Sequence, residues 1–459
     1  MIRIVKIEIH GIKNIKSGIL TFDERKTYDR KVFAIERPGV IGIYGENGSG
    51  KSTALLSLAL FQALAQRKEL GPMKSSSFLI NKDGNKGNVL IDLLLLENEN
   101  VYKIQYGFEL EEGEDEKLHL VRERLRASIL PFGKKRFYVF LPNLEVSLNP
   151  DLSVEDAFLS DAKVYSLSAL FDRKEGDIQD LQDLLSALGR KAYLSAGSLF
   201  FSEGFADLLK SSENEFAKRL LFLLSSLMTY CQTKAFFYSD RYGEGLENKD
   251  ITFCDKEKGI PMFPFAHLPL KIKTSSLPFW QSLEKKINAL LKTCFDDFQI
   301  EMTFSKAGEE NLLVSVDSLG KDGRIPLLYE SQGKKKIAAL AYALIQVLND
   351  PGMLLVIDKF DADIFEPFFK KILEVLSYDT KGQLLFTSDS LKALEAMNNH
   401  NVYVTTTNPE NRFIQLEHVT RSNNLRDFYL RSIEDDGRQK EKLSKKVDID
   451  RLRKSLLSN

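Results

Sequence analysis

Residues 45–53 read Gly45-Glu46-Asn47-Gly48-Ser49-Gly50-Lys51-Ser52-Thr53, the spacing G-x-x-x-x-G-K-[ST]. The chemistry this pattern supports is phosphate binding. Glycines at 45, 48 and 50, with Asn47 and Ser49 between them, let successive backbone N–H groups turn inward on phosphate oxygens. The Lys51 ammonium can reach the β- and γ-phosphates, and the Ser52 hydroxyl, next to Thr53, can hold Mg²⁺. The apolar run Val40-Ile41-Gly42-Ile43-Tyr44 comes before the loop, and Ala54–Gln66 follows it with helical spacing. That context puts the phosphates at a helix N-terminus, where free N–H groups and the helix dipole favour anions. The loop therefore predicts a nucleoside triphosphate site.

Such a site needs a carboxylate from elsewhere to complete the metal's shell. Met353-Leu354-Leu355-Val356-Ile357-Asp358 is an apolar run ending in one, which could hold Mg²⁺ through water. Asp361 lies three residues on, and a shift of two or three residues in this loop would make Asp361 the metal's carboxylate instead. Before the run comes a helical stripe (Ile337, Leu340, Ala341, Leu344, Ile345, Leu348), itself preceded by Ser331-Gln332-Gly333. Ser331 can be read as a plain N-cap, a role serine suits, or as part of a second phosphate contact. The next apolar run, Gln383-Leu384-Leu385-Phe386-Thr387, ends in Ser388-Asp389.

These residues need a framework. Over 459 residues the apolar and charged fractions are ordinary and the net charge is −1, which gives no global pull toward nucleic acid or membrane. Residues 1–115 alternate like a β-rich lobe around the loop, with strands expected at Ile2–His10, Ile19–Phe22, Val40–Tyr44, Asn88–Leu96 and Tyr102–Glu109. The acidic run from Glu109 to Glu116 reads as a solvated hairpin loop. Residues 116–294 read as a mostly helical insertion, on the 3.6-residue spacing at Leu181–Leu188, Phe216–Met228 and Phe279–Leu291. Residues 295–436 return to strand–helix alternation and predict a second lobe of the same α/β fold. The tail, 437–459, carries eight Lys/Arg against three Asp/Glu and suits an acidic partner. Met1–Ile9 alternates like an edge strand rather than a leader, and the greasiest run, Leu220–Met228, is too short to span a membrane. The expected location is the cytoplasm, with no membrane contact.

In their order along the chain, these features resemble the ABC-type heads of the RecF, SMC and OLD-like ATPases of the AAA class. The opening Ile7-Glu8-Ile9-His10-Gly11-Ile12-Lys13-Asn14-Ile15 resembles those families' first strand and turn, which implies that Asn14 lies at the nucleotide. The resemblance covers roughly the first hundred residues and 295–420. It implies an ABC-type ATPase head, a mixed sheet with a P-loop, that binds ATP and Mg²⁺. It further implies a head-to-tail dimer, or a higher assembly of the same chain, in which Ser331 and Gly333 reach the ATP of the opposite subunit. No Cys-x-x-Cys between heptad arms is present, unlike the zinc-hook repair ATPases. The chain is similar to the stand-alone ATPases of bacterial anti-phage modules (PARIS- and AbiL-like), and Asn423-Asn424-Leu425-Arg426-Asp427-Phe428-Tyr429 resembles their closing segment. That likeness implies a separate effector protein as partner.

Two positions depart from the family pattern. The glutamate that polarises the attacking water is replaced by Lys359, and the histidine that contacts the γ-phosphate by Asp389. Both changes predict slow turnover or none, since positioning water against the γ-phosphate is much of what such a site does. Lys359 and Asp389 could pair, and Asp361 or a carboxylate of the partner copy could act as base. The rival readings are a pseudo-ATPase scaffold that binds ATP without turnover and a RecF-like DNA-binding repair ATPase. Lys334-Lys335-Lys336 could face phosphate, DNA or simply water, and Lys134-Lys135-Arg136 nucleic acid or water. The histidines (10, 119, 267, 400, 418) have no ligand spacing, and Cys231, Cys254 and Cys294 form no metal or disulfide pattern.

Overall fold

The computed structural model describes residues 1–22, 39–70, 79–114, 116–149, 178–238, 269–321, 323–417, 419, 424–434, 440–444 and 449–457. The chain opens with the hairpin β1 (Ile2–Ile12) and β2 (Ile15–Thr21), followed by β3 (Gly39–Tyr44), the glycine-rich loop and α1 (Lys51–Ala65). Four long strands come next: β4 (Lys86–Glu97), β5 (Asn100–Glu112), β6 (Leu118–Leu130) and β7 (Tyr138–Ser147). Helices α2 (Ile178–Ser195), α3 (Glu203–Ser211) and α4 (Glu215–Thr233) lead to β8 (Ala235–Tyr238), β9 (Leu270–Lys273) and α5 (Leu277–Cys294). Then follow β10 (Gln299–Lys306), β11 (Asn311–Gly320), β12 (Gly323–Pro326) and α6 (Gln332–Asn349). After them come β13 (Leu354–Ile357), α7 (Glu366–Asp379), β14 (Gln383–Thr387), β15 (Val402–Thr405), β16 (Phe413–Ile414), α8 (Leu425–Glu434) and α9 (Ile449–Leu457).

The strands sort into three sheets. One is antiparallel in the order β2-β1-β4-β5-β6-β7, and a small one joins β10, β11 and β12 with β9 against β11. The third, β16-β15-β3-β14-β13-β8, is parallel apart from β16. Strands of a parallel sheet covered on both faces should be mostly apolar, and these are, with Gln383, Thr387 and Thr405 the polar exceptions at the ends of β14 and β15. Along β13, Leu354 and Val356 face one core while Leu355 and Ile357 face the other. The first core lies between the antiparallel and parallel sheets and takes in α1, which is buried nearly all round. The second packs α5, α6 and α7 and the small sheet against the opposite face.

The expected strands and helices of the first and last stretches form, with boundaries moved by a few residues. Strand β1 carries a register shift between Ile4 and Lys6. That bulge changes the phase of its alternation, so Ile2, Ile4, Ile7 and Ile9 all face the first core. Beside it the Gln383 side chain accepts from Ile4 N and donates to Ile4 O, both at 2.7 Å, and so ties the two large sheets together.

The range 116–294 holds the expected helices, α2 to α5, but its start departs from a helical insertion. Residues 118–147 are β6 and β7, which extend the antiparallel sheet. Near its end β8 adds to the parallel sheet beside β13. The helical part is α2, α3, α4 and α5. The physical reason for the departure is Glu123. It faces the core at an inward strand position, fully buried, and accepts from Tyr106 Oη (2.7 Å), Ser198 Oγ (2.6 Å), Leu199 N (2.7 Å) and Phe200 N (3.2 Å). A carboxylate so supplied with donors is stable where the period-2 pattern calls for an apolar side chain. Among the described residues, no helix is long and apolar enough to cross a membrane. The tail contributes α9, and the expected segment beginning at Asn423 contributes α8 from Leu425. Asn423, Cys254, His267 and His418 lie outside the described residues.

Candidate nucleotide site

In an open parallel sheet, ligands bind beyond the carboxyl ends of the strands. Here β3 runs into the glycine-rich loop, β13 into Asp358, and β14 into Ser388 and Asp389, while β15 ends in Thr405. Because β14 lies between β3 and β13, these ends converge. The loop takes backbone conformations that only glycine adopts easily, with φ of 144° at Gly45 and 103° at Gly50. A Cβ at Gly45 would also overlap Thr405 Oγ1, which instead donates to Ser49 Oγ at 2.7 Å.

Asn14, on the turn between β1 and β2, closes the loop from the other sheet. Its amide donates to Gly48 O, and Thr53 Oγ1 donates to its Oδ1 at 3.3 Å. Arg412 braces this turn from behind, donating to Asn14 O and Thr406 O, each at 2.7 Å. Neighbouring Lys13 is held below the usual lysine pKa by burial, which Asp358's charge partly opposes.

The metal-binding candidates meet directly. Ser52 Oγ donates to Asp358 Oδ1 at 2.9 Å, and Thr387 Oγ1 donates to the same oxygen at 2.5 Å. Asp358 is 2% exposed. A hydroxyl and a carboxylate, both hard oxygen donors, fit Mg²⁺, which prefers few protein ligands and keeps several waters. Among the described residues no group of three His, Cys, Asp or Glu gathers as a metal cage.

Lys51 is nearly buried and fully engaged. Its Nζ donates to Gly45 O at 2.6 Å and Glu46 O at 3.0 Å, and lies 2.9 Å from Asp389 Oδ1. The other oxygen of Asp389 lies 3.9 Å from Lys359 Nζ, so one carboxylate spans both lysines. Lys359 has φ 50°, a left-handed conformation unusual for a side chain of this size, and is fixed at both ends. Its N–H donates to Thr387 Oγ1 at 2.7 Å, and its carbonyl accepts from buried Lys336 at 2.7 Å. Asp361 is turned to the next strand, where it accepts from Asp389 N at 3.1 Å; burial lifts its carboxyl above the usual range.

Ser331 and Gly333 sit on the flank of this constellation. Ser331 caps α6, its Oγ accepting from Lys334 N at 3.4 Å, and is itself exposed. Gly333 packs so tightly on the 359–363 loop that a Cβ would overlap Asp363 O. Gly333 thus joins the helix start to the loop after Asp358, while Ser331 bonds locally, with Glu330 and the first turn of α6. Sequence reasoning assigns no role to Thr387, Thr405 or Arg412, and it reads Lys336 as facing phosphate, nucleic acid or water, whereas that ammonium is buried and donates to Lys359 O and Ala362 O. The first two had a signal, since each is a threonine closing an apolar strand that borders the loop.

Residues 6–216 match the family profile described as an AAA domain. Among solved structures, the chain resembles an Smc head bound to the C-terminal winged-helix domain of ScpA, with TM-score 0.42 and 11% identity over 90% of this chain and 98% of that one. It also resembles the Pyrococcus furiosus Smc head with an extended coiled coil, bound to the C-terminal domain of ScpA (TM-score 0.43, 12% identity, 91% and 96% coverage). A third is the SMC head domain from Thermotoga maritima (TM-score 0.37, 13% identity, 90% and 99% coverage). A comparison with curated proteins finds no match.

Proposed function

We propose that this chain, whose residues 6–216 match an AAA-domain profile, is an ABC/SMC-like P-loop ATPase that binds ATP with Mg²⁺ and turns it over slowly. In this reading the nucleotide drives assembly more than it fuels a motor. The observation that carries it is the convergence of Lys51, Ser52 and Asp358 with a lysine, Lys359, in the place of the water-polarising acid. The glycine-rich loop would hold the inner phosphates, Lys51 the outer two, and Ser52 with Asp358 the metal, which neutralises developing charge when bound. Lys359 strengthens the hold on a triphosphate but cannot accept a proton from water while it is charged. Asp361 is the nearby candidate for a weak base.

Assembly with a second copy, head to tail around two ATPs, accords with the surface around Ser331. Tyr329 is 77% exposed and Phe365 75% exposed, and large exposed apolar side chains of this kind favour a partner. The assembled form would control a separate effector protein in a bacterial anti-phage module, in the cytoplasm.

The test is steady-state phosphate release by the purified chain with ATP and Mg²⁺, beside Lys51→Ala and the double variant Lys359→Glu/Asp389→His. The expected result is slow release, abolished by Lys51→Ala and raised by the double variant. A double variant no faster than the parent would end the account of slow turnover. Light scattering with and without ATP reads assembly in the same samples.

A further inference from the structure

We propose that Asp389 determines which nucleotide state the site accepts. Its carboxylate stands in for a γ-phosphate on Lys51, so a diphosphate leaves it in place and a triphosphate must displace it. The inference rests on the ATP-site reading above and specifies how that site distinguishes its two nucleotides.

An ammonium group has three protons to donate. Lys51 directs them at two loop carbonyls, Gly45 O at 2.6 Å and Glu46 O at 3.0 Å, and at Asp389 Oδ1, 2.9 Å away. Its side chain is 7% exposed, so little water competes for the group. The loop pattern gives the inner phosphates to backbone amides and the outer two to the lysine. Asp389 thus occupies the outermost of these places. It also leans on a second cation, with Oδ2 3.9 Å from Lys359 Nζ. An anion lodged between two lysines is the arrangement a terminal phosphate would need.

A γ-phosphate would need the place on Lys51 that the Asp389 carboxylate holds, and two anions in one place clash and repel, so the carboxylate must give way. A diphosphate brings no γ-phosphate to that place; its β-phosphate would take the protons that Lys51 gives to the loop carbonyls, and the carboxylate would keep the third. When a triphosphate enters, Asp389 can move onto Lys359, and at 43% exposure it has room to do so. That movement has consequences beyond the site. Asp389 N is bonded to Asp361 Oδ2 at 3.1 Å, and Ser390 Oγ to Glu366 Oε1 at 2.8 Å, next to exposed Phe365. The γ-phosphate is therefore read out at the start of α7 through this short segment.

The experiment measures equilibrium binding of ADP and of the non-hydrolysable triphosphate AMP-PNP, each with Mg²⁺. It uses the parent chain, Asp389→Asn and Lys359→Ala, with thermal melting to show that each variant is folded. Asp389→Asn should tighten AMP-PNP binding about tenfold, the scale of one charge-assisted contact, and leave ADP within about twofold. Lys359→Ala removes the displaced carboxylate's second partner and should weaken AMP-PNP while sparing ADP. Equal shifts for both nucleotides, or weaker AMP-PNP binding by Asp389→Asn, would overturn the proposal while the nucleotide site stands. Should neither nucleotide bind the parent chain, the ATP reading itself falls and this inference with it.

Discussion

Ser52 Oγ donates to Asp358 Oδ1 at 2.9 Å, a bond between residues 306 positions apart. It exists because β3 and β13 run parallel on either side of β14, so the loop after β3 faces the carboxylate after β13. Ser52→Ala and Asp358→Asn should each weaken nucleotide binding in the presence of Mg²⁺ by about 10- to 100-fold, the range seen when a metal's supporting groups are removed. Binding in excess chelator should hardly change, since Lys51 and the loop amides remain. Titrations with Mg²⁺ and with EDTA separate the two components. Loss of equal size in both buffers would show that the pair maintains the loop rather than the metal.

Thr387 ties that carboxylate to the strained residue after it. Its hydroxyl donates to Asp358 Oδ1 and accepts from Lys359 N at 2.7 Å, and the side chain is fully buried. Valine keeps the shape and removes both bonds, leaving a buried N–H without its partner. Thr387→Val should destabilise the fold by about 2–3 kcal/mol, and Thr387→Ser by much less. Urea denaturation of the two variants makes the comparison. A serine variant as unstable as the valine one would assign the effect to lost packing instead.

The contrast between Ser52 and Thr387 shows what could be read from the chain. Gly45 to Thr53 is a local pattern whose chemistry depends on residues adjacent in sequence, and the apolar run before Asp358 is local too. The roles of Thr387 and Thr405 depend on the strand order β15-β3-β14-β13, which no local pattern records. The same holds for Asp389. Its sequence position invites pairing with Lys359, yet its closer partner is Lys51, across the sheet. Strand β6 is hard to read because Arg122, Arg124 and Arg126 crowd its outer face and Glu123 takes an inner position. In β1 the bulge after Ile4 changes the alternation, and only the partner strand reveals it.

Glu123 should prove more than tolerated. It sits on β6 and gathers the hydroxyl of Ser198 and the amides of Leu199 and Phe200, which lie between α2 and α3. Glu123→Gln keeps the volume but brings an NH₂ group to a place where donors already converge. At neutral pH this should lower stability by about 2–4 kcal/mol, as a buried network loses an acceptor. Hydrogen exchange should locate the loosening at 198–205, ahead of the parallel sheet. Uniform loss of protection across both cores would mean that Glu123 supports the whole lobe and not this junction.

Asp361 gives a pH dependence with a definite sign. Burial, first among its causes, raises its carboxyl, while the bond from Asp389 N pulls the other way. A carboxyl that holds its proton more tightly in the folded state gives a folded chain that binds more protons than the unfolded one. Stability from this group is therefore greatest below the ordinary carboxylate range and declines as pH rises through the raised value. Asp361→Asn has no such titration. The parent should gain stability relative to the variant as pH falls from 7 toward the ordinary carboxylate range. Denaturation curves of both chains at several pH values test this, and a difference that stays constant with pH would mean that Asp361 is held as an ordinary carboxylate. A matching rise in phosphate release with pH, absent in Asp361→Asn, would add that the deprotonated group serves the attacking water.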